Sequence, residues 1–362
     1  MMVMQHIDKI IALRKKLHQI PEASLQETQT KQQLMLFLQK NTDSEIVDRG
    51  AWFYAVKRAD GEPAKPPIAF RADMDAVCGG DGKPGHYCGH DGHSSILCGV
   101  ALYLTEQKEL TRDVYLIFQP GEETGQGAKL CQSLLQEKRI AEVYGLHNIP
   151  GYPLNQILVR KGTFACASTG LAIHLQGVPS HAAYPEAGRN PAVTFARLVL
   201  ALEQCTKEIQ NGFVRMTVIG MDIGSVNYGV SASEGELRLT VRAERQSIFD
   251  DYLARIRNLV EQYAKDGGFI YTIKEIERFP ATENSDDGVD RVCEAAKKIG
   301  RDVTWLEQPM RWSEDFGYYL QETEGVFFGI GDGEEHAQLH TADYEFPDAI
   351  IETGIAMFAA LI

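Results

Sequence analysis

Between residues 67 and 147 the chain alternates short apolar runs with amphipathic stretches, and this alternation constrains the fold more than any other feature. The apolar runs have the length of buried strands, and the stretches between them have the spacing of helices. Strands that alternate with helices indicate βαβ units and a mostly parallel sheet with helices on both faces. The same rhythm returns near the C-terminus, so we predict an α/β fold with a mostly parallel, doubly wound sheet. The predicted strands are Pro67–Arg71, Asp113–Gln119, Glu142–Leu146, Val303–Leu306 and Gly325–Ile330, and the predicted helices are Ser94–Thr105, Gly127–Gln136, Asp290–Lys298, Glu314–Leu320 and one from Asp348.

From about residue 169 to residue 276 the pattern changes to strand, helix, strand, strand, helix, strand. This order is typical of the split βαβ (ferredoxin-like) arrangement of a small α+β domain. We therefore predict a first domain of residues 1–165 and 279–362, with residues 166–278 inserted as a smaller lid domain. Ligands of such parallel sheets bind at the carboxyl ends of the strands, where we expect the catalytic groups to lie.

Charge and apolar patterning restrict the classes of partner. The sequence has 50 acidic and 36 basic residues and a formal net charge of -14, which argues against nucleic acid or an anionic membrane as the main partner. Residues 1–20 have the pattern of an amphipathic helix rather than of a secretory signal, and no apolar run is long enough to span a bilayer. We predict a soluble, cytoplasmic protein.

Side chains that can bind a metal stand at the ends of four predicted strands. Asp73 and Asp75 follow the first strand and lead into the run Cys88-Gly-His90-Asp-Gly-His93. Cysteine, histidine and aspartate are costly to bury together unless they bind a cation or one another. The adjacent carboxylates of Glu122 and Glu123 follow the second strand, His147 ends the third, and His340 follows the last strand of the chain.

Five of these side chains form a candidate ligand set, namely Cys88, His90, Glu123, His147 and His340. Five ligands are too many for one tetrahedral structural zinc ion but suit two ions that share a bridging group. The mixture of nitrogen, oxygen and sulfur favours zinc or manganese, with cobalt or nickel as alternatives, and disfavours magnesium and calcium. Neighbouring side chains diverge, so Glu123 can bind a metal while Glu122 acts as a general base.

The inserted segment contains Ser180-His181 after a predicted strand, and a histidine there could donate a hydrogen bond to the oxyanion formed when water attacks a carbonyl. For His181 a turn histidine without a catalytic role is the alternative. Asn227 and Arg242 lie in the same segment, where surface or structural roles are equally compatible with the pattern.

At these residues the chain resembles the aminoacylase and carboxypeptidase family of co-catalytic metallohydrolases, in particular its branch of N-acyl-amino-acid amidohydrolases, which includes hippurate hydrolases and auxin-conjugate hydrolases. The resemblance covers nearly the whole chain. Its motifs are Leu17-His-Gln-Ile-Pro21-Glu22, Arg71-Ala-Asp-Met-Asp75-Ala, Cys88-Gly-His-Asp-Gly-His93, Gln119-Pro-Gly-Glu-Glu123, Gly145-Leu-His147, Ser180-His-Ala-Ala183, Ser313-Glu-Asp-Phe316 and Leu339-His340.

The resemblance implies a metallohydrolase with two divalent metal ions per chain, bound by the five residues named above. It further implies that Glu122 is the base, that His181 on the lid assists the transition state and that the lid pairs two chains into a homodimer. The family pattern assigns Asn227 a contact with substrate. Asp75 would orient a metal ligand, because metal-bound histidines usually need a hydrogen-bonded partner. Three features depart from the family pattern: residues 77–84 are short, Gly85 replaces the usual methionine, and the usual Asn-Val-Ile-Pro of the lid reads Asn227-Tyr-Gly-Val.

The predicted function is therefore metal-dependent hydrolysis of an N-acyl amino acid to a carboxylate and a free amino acid, which makes the substrate a small molecule. A dipeptidase or other exopeptidase of the same family is one alternative, because the same attack on a peptide carbonyl differs only in the pocket. A catalytically silent metal-containing binding protein is another, although Glu122 argues against it. A nucleotide-dependent oxidoreductase is disfavoured because no Gly-x-Gly-x-x-Gly turn follows the first strands.

Overall fold

The computed structural model describes residues 6–80, 82–210 and 212–362, which form two compact units. The first unit consists of Met1–Phe164, Thr282–Pro309 and Glu314–Ile362, and the second of Ala165–Ala281 and Met310–Ser313. In chain order the strands are β1 (Glu45–Asp48), β2 (Phe53–Lys57), β3 (Ile68–Asp73), β4 (Val77–Cys78), β5 (Pro84–Gly85), β6 (Val114–Gln119), β7 (Glu142–Ile149), β8 (Ile157–Val159), β9 (Gly162–Ala165), β10 (Ala167–Gln176), β11 (Ser180–His181), β12 (Val214–Ile223), β13 (Val230–Ser231), β14 (Glu234–Ala243), β15 (Ile270–Phe279), β16 (Thr282–Asn284), β17 (Val303–Trp305) and β18 (Glu324–Gly331). The helices are α1 (Ile7–His18), α2 (Thr28–Asn41), α3 (His90–Glu106), α4 (Gly127–Cys131), α5 (Ser133–Glu137), α6 (Ala192–Lys207), α7 (Gln246–Gly267), α8 (Asp286–Lys298), α9 (Gly317–Leu320) and α10 (Ile351–Leu361).

An eight-stranded sheet organises the first unit, in the order β1-β2-β6-β3-β7-β18-β8-β17. Its four central strands, β6, β3, β7 and β18, are parallel to one another, whereas β2 and β8 join them antiparallel on either side. The predicted α/β class with a mostly parallel central sheet is confirmed. All residues of β3 and β6 are buried, as expected for strands covered on both faces.

The register of the parallel strands brings their carboxyl ends to one edge of the sheet. Asp73 at the end of β3 pairs with Gln119 at the end of β6, and His147 near the end of β7 pairs with Gly329 of β18. Polar side chains that follow these strands therefore start from neighbouring positions. This edge carries the candidate site.

Helix α3 is the most buried helix of the first unit, with only three of its residues outside the core. It packs against α1 and α10, and a Cβ atom on Gly99 would lie 2.2 Å from Cδ1 of Ile355. The absence of a side chain at Gly99 allows this close approach. Because α3 begins at His90, a rigid element positions that side chain.

The second unit contains a four-stranded antiparallel sheet in the order β12-β14-β10-β15. Along β14 buried and less buried residues alternate, so one face, including Leu237 and Leu239, packs on the helices α6 and α7. Ile173 of β10 lies between Leu237 of β14 and Ile273 of β15 in the register. Strand β12 forms an edge and is largely exposed.

Two predicted helices are interrupted or shortened in the structure. The helix predicted at residues 127–136 is interrupted at Gln132, whose carbonyl accepts a hydrogen bond from Leu135 only three residues later, and this tight turn separates α4 from α5. The helix predicted from Glu314 begins at Gly317, because Glu314 and Asp315 extend to partners elsewhere in the chain. The N-terminal helix is α1, and residues 1–5 lie outside the described residues.

Among the described residues, no helix combines the length and apolar character needed to cross a bilayer.

Candidate metal centre

The structure brings the five predicted ligands together at the carboxyl edge of the sheet. The ligand atoms of Cys88, His90 and His147 lie within 4.8 Å of one another, and so do those of Cys88, Glu123 and His340. Cys88 belongs to both groups: its Sγ is 3.4 Å from Nε2 of His147 and 3.3 Å from Nε2 of His340. Oε1 of Glu123 is 3.6 Å from Nε2 of both His90 and His340.

Local backbone geometry explains how Cys88 and His90 share one site. Gly89, between them, has a φ of 97° and forms the N-cap of α3. A Cβ atom at this position would lie 2.6 Å from Oδ1 of Asn148, so the left-handed conformation and the tight space both require glycine. The turn directs Cys88 and the first residue of α3 toward the strand ends.

Hydrogen bonds fix the orientation of the two buried histidines. Nδ1 of His90 lies 3.1 Å from both the backbone oxygen and Oδ1 of Asp75, and Nδ1 of His147 lies 2.7 Å from the backbone oxygen of Asn148. In each ring Nδ1 is the donor, which leaves Nε2 as a lone-pair donor to a metal. Asp75, which we predicted to orient a ligand, contacts His90 through Oδ1. Its Oδ2 accepts the backbone N–H of Glu123 at 3.0 Å.

The donor set fits divalent transition-metal ions. Among the described residues, Nε2 of His90 and Oε1 of Glu123 are buried and have no hydrogen-bond partner. Burial raises the pKa of the Cys88 thiol, and burial together with the charge of Asp75 raises the pKa of Glu123 to about 7. A bound cation would satisfy the unpartnered atoms and offset the cost of ionising both groups.

Glu122 lies next to this ligand set without belonging to either group that shares Cys88. Its Oε2 is 4.0 Å from Nε2 of His90, and its Oε1 accepts a hydrogen bond of 3.4 Å from the backbone N–H of Asp315. Burial is the main reason that the pKa of Glu122 is raised well above its usual value, and the charges of Glu314, Glu123 and Asp315 add to it. A carboxyl group with a raised pKa can accept a proton and return it.

A buried network next to Glu122 was not predicted as functional. Arg71, only 2% exposed, donates to Asp73, Glu314 and Asp315 at 2.8, 2.9 and 2.9 Å, and to Gln119 at 2.7 Å. Arg71, Glu314 and Asp315 stand in the motifs quoted above, but no local pattern indicated that they meet. The signal that could have found them is the second pair of adjacent carboxylates within the quoted motifs, at residues 314 and 315.

His93 lies beside the ligand set, but both of its ring nitrogens are within hydrogen-bond distance of other residues. Its Nδ1 lies 2.7 Å from Oδ1 of Asp73, and its Nε2 lies 2.6 Å from Oδ1 of Asn148. Asn148 in turn donates to Asp332 at 3.2 Å. These contacts link residues at or just after the carboxyl ends of β3, β7 and β18.

The residues predicted from the inserted segment lie in the second unit. His181 and Asn227 are exposed there, and each accepts a hydrogen bond from a backbone N–H two residues later, Ala183 for His181 and Gly229 for Asn227. Arg242 donates to Ser313 at 2.9 Å within the same unit, a structural contact. The catalytic role of His181 and the binding role of Asn227 stay predictions.

The unusual glycine at residue 85 has a local explanation. A Cβ atom on Gly85 would lie 2.4 Å from Cε2 of Tyr87, so the tyrosine ring occupies the space of a side chain at residue 85. The backbone oxygen of Tyr87 accepts the N–H of His340 at 2.8 Å. The glycine at residue 85 therefore accompanies a tyrosine whose backbone holds the loop of His340, a candidate ligand.

Comparison with known proteins gives a consistent result. The model of peptidase family M20/M25/M40 matches residues 69–362. An N-acetyldiaminopimelate deacetylase of Leuconostoc mesenteroides is 29% identical, with 94% of this chain and 93% of that protein covered. An N-acetylcysteine deacetylase of Bacillus subtilis is 27% identical, over 93% and 92% of the two chains. The solved structure of a dinuclear metal-binding peptidase of Bacillus subtilis from the M20 family superposes with a TM-score of 0.84 at 23% identity, covering 99% and 97%.

Proposed function

Because the chain belongs to peptidase family M20/M25/M40, we propose that it is a metal-dependent amidohydrolase that cleaves an N-acyl amino acid to a carboxylate and a free amino acid. The family resemblance and the enzyme class predicted from the motifs are confirmed by this membership and by the two deacetylase relatives. The observation that carries the proposal is the buried Glu122 carboxylate beside a five-residue nitrogen, oxygen and sulfur donor set.

Cys88, His90, Glu123, His147 and His340 would hold two divalent metal ions. We propose zinc or manganese, with cobalt or nickel as alternatives, because the donor set mixes soft and hard ligands. When bound, such ions polarise a carbonyl group and lower the pKa of water. Asp75 and the backbone oxygen of Asn148 hold the two histidine rings, so that Nε2 of each faces the ligand set.

Glu122 acts as the general base. Its carboxylate takes a proton from the water that attacks the scissile carbonyl and returns this proton to the departing amine nitrogen. The backbone N–H of Asp315 orients the Glu122 carboxylate, while the neighbouring carboxylates favour its protonated form. The proton transferred at Glu122 thus links the attack of water to the release of the amino acid.

The roles assigned to the two parts of the chain are also proposals. Residues 1–165 and 279–362 would be the catalytic metallohydrolase domain, and residues 166–278 would be a lid that also pairs two chains into a homodimer. His181 of the lid would donate to the oxyanion, and Asn227 would contact substrate. The exposure of both side chains in the second unit leaves them available for such contacts. The cytoplasmic location stays a prediction from the sequence.

Hydrolysis assays with the full chain test the proposal. Protein loaded with Zn²⁺ or Mn²⁺ should release amino acid from N-acetyl amino acids, including N-acetylcysteine and N-acetyldiaminopimelate, and lose this activity on chelation. Glu122→Gln should lower kcat by about 100-fold or more while the metal content stays unchanged. Glu335→Gln, which makes the same change at an exposed position, is the matched control. Near-normal turnover by metal-loaded Glu122→Gln would contradict the assigned base, and cleavage of dipeptides alone would favour an exopeptidase.

A further inference from the structure

A short turn near the N-terminus reaches both loops that carry the proposed catalytic groups. The N-terminal turn (residues 22–27) lies between α1 and α2 and precedes the residues matched by the family model. The backbone oxygen of Glu22 accepts the N–H of Ala76 at 2.8 Å, which places the turn alongside the loop after β3. Two side chains of the turn, Ser24 and Glu27, contact these loops.

Ser24 contacts the carboxylate that orients a proposed ligand. Its hydroxyl donates to Oδ2 of Asp75 at 2.7 Å, and the same oxygen accepts the N–H of Glu123. The other oxygen of Asp75 lies 3.1 Å from Nδ1 of His90. Ser24 therefore fixes the rotation of the Asp75 carboxylate, on which the positions of His90 and Glu123 both depend.

Glu27 contacts the loop that carries the proposed base. Its side chain is 4% exposed, and its Oε1 accepts the N–H of Gly121 at 2.7 Å and that of Leu25 at 2.9 Å. Gly121 has a φ of 59°, and a Cβ atom there would lie 2.7 Å from Cδ2 of Leu25. The turn thus holds the buried N–H and the left-handed backbone immediately before Glu122.

The N-terminal turn is itself anchored by a third side chain that does not reach the site. The carboxylate of Glu22 accepts the N–H of Gln29 at 3.1 Å and that of Thr30 at 2.8 Å, both in the first turn of α2. This contact caps a helix and stabilises the turn without touching the loops of Asp75 or Gly121. A substitution of the Glu22 side chain therefore changes the stability of the turn without removing a contact between the turn and the site.

We propose that Ser24 and Glu27 are positioning residues, Ser24 for the metal ligands through Asp75 and Glu27 for the base through Gly121. This inference rests on the proposed function for the role of the base. The part that concerns Ser24 depends only on metal binding. Neither side chain touches substrate or a metal in this assignment, since each acts through one hydrogen bond to the loop that it holds.

Metal titration tests the Ser24 half without any substrate. In calorimetric titrations of the metal-free full chain with Zn²⁺ and with Mn²⁺, Ser24→Ala should bind metal about 10- to 100-fold more weakly. Ser24→Thr, which keeps the hydroxyl, should restore affinity to within about threefold of the original chain. Glu22→Gln should lower Tm but leave metal affinity unchanged. Unchanged metal affinity in Ser24→Ala would overturn this half of the proposal, whether or not any substrate is hydrolysed.

Steady-state kinetics with an N-acetyl amino acid tests the Glu27 half. Glu27→Ala should lower kcat about 10- to 100-fold with little change in KM, because the base is displaced while the substrate contacts stay. Glu27→Gln retains an acceptor for Gly121 and should recover most of kcat. If Glu27→Ala does not fold, Glu27→Asp replaces it: it keeps the charge but withdraws the acceptor by one methylene, and should lose kcat similarly. If Glu27→Ala lowers only Tm, as expected for Glu22→Gln, and leaves kcat unchanged, the assignment of Glu27 is overturned.

Discussion

The pH dependence of stability should reveal the buried carboxyl group of Glu27. Burial and the charge of Asp75 raise the pKa of Glu27 from its ordinary 4.5 to about 7. A residue whose pKa is higher in the folded chain stabilises the fold fully below the unfolded pKa and loses that contribution as pH rises through the folded pKa. Wild-type stability should therefore lose the contribution of Glu27 between about pH 4.5 and pH 7.

The magnitude follows from the two pKa values. At about 1.4 kcal/mol for each pH unit between them, the ionisation of Glu27 should cost the folded chain about 3 kcal/mol of unfolding free energy. Glu27→Gln has no proton to release, so this loss should be missing from the variant. The stability of the variant relative to the wild type should rise by about 3 kcal/mol from pH 4.5 to pH 8.

Urea unfolding followed by tryptophan fluorescence measures this difference. Both chains are compared at several pH values between 4.5 and 8 with metal removed by a chelator, because protons released on metal binding would add to the signal. Glu335→Gln controls for the change of residue type at an exposed position. A difference between Glu27→Gln and wild type that stays constant within about 0.5 kcal/mol over this range would refute the reasoning.

Three further perturbations test other parts of the structure. Arg71→Met should lower the free energy of unfolding by about 3–5 kcal/mol in urea titrations, because it leaves buried carboxylates without their cation. The control Arg58→Met removes an exposed ion pair and should cost less than about 1 kcal/mol. Equal losses in the two variants would contradict this prediction. Gly127→Ala should reduce both Tm and kcat, since its Cβ would lie 1.5 Å from the oxygen of Pro120, while Gly80→Ala, with no atom within 4 Å, should resemble wild type in both measurements. Addition of Zn²⁺ at about 100 times its Kd should stabilise the chelated protein by about 2.7 kcal/mol in thermal or urea unfolding, and no shift would show that the folded chain has no preferential affinity for zinc.

Much of the sheet could be predicted because strand and helix periodicity is local. The residues before Gln119 in this strand are apolar, and Pro120-Gly121 follow it, so the end of the strand was predicted correctly. The parallel arrangement then implies that side chains after β3, β6 and β7 meet at one edge, which is where Asp75, Glu122 and His147 lie. Here local pattern and general topology were sufficient.

The contacts that hold the site could not be predicted in this way. Glu27 bonds to Gly121, 94 residues away, and Arg71 bonds to Glu314, 243 residues away. Periodicity carries no information about which polar side chains meet across such distances. The same limit explains the helix predicted from Glu314, since the long-range partner of that carboxylate outweighs the local helical pattern.

The unequal burial of the candidate ligands has a consequence for the order in which metal would leave. His90 and His147 are almost inaccessible, and His90 begins a helix at the centre of the core. The side chain of His340 is 52% exposed on a loop, where its backbone φ is 64°. We expect a chelator to remove metal in two kinetic phases: a fast one from the group of Cys88, Glu123 and His340, and a slow one from the group of Cys88, His90 and His147. The fold would thus keep one ion in slow exchange while its neighbour equilibrates with the metal concentration of the surroundings.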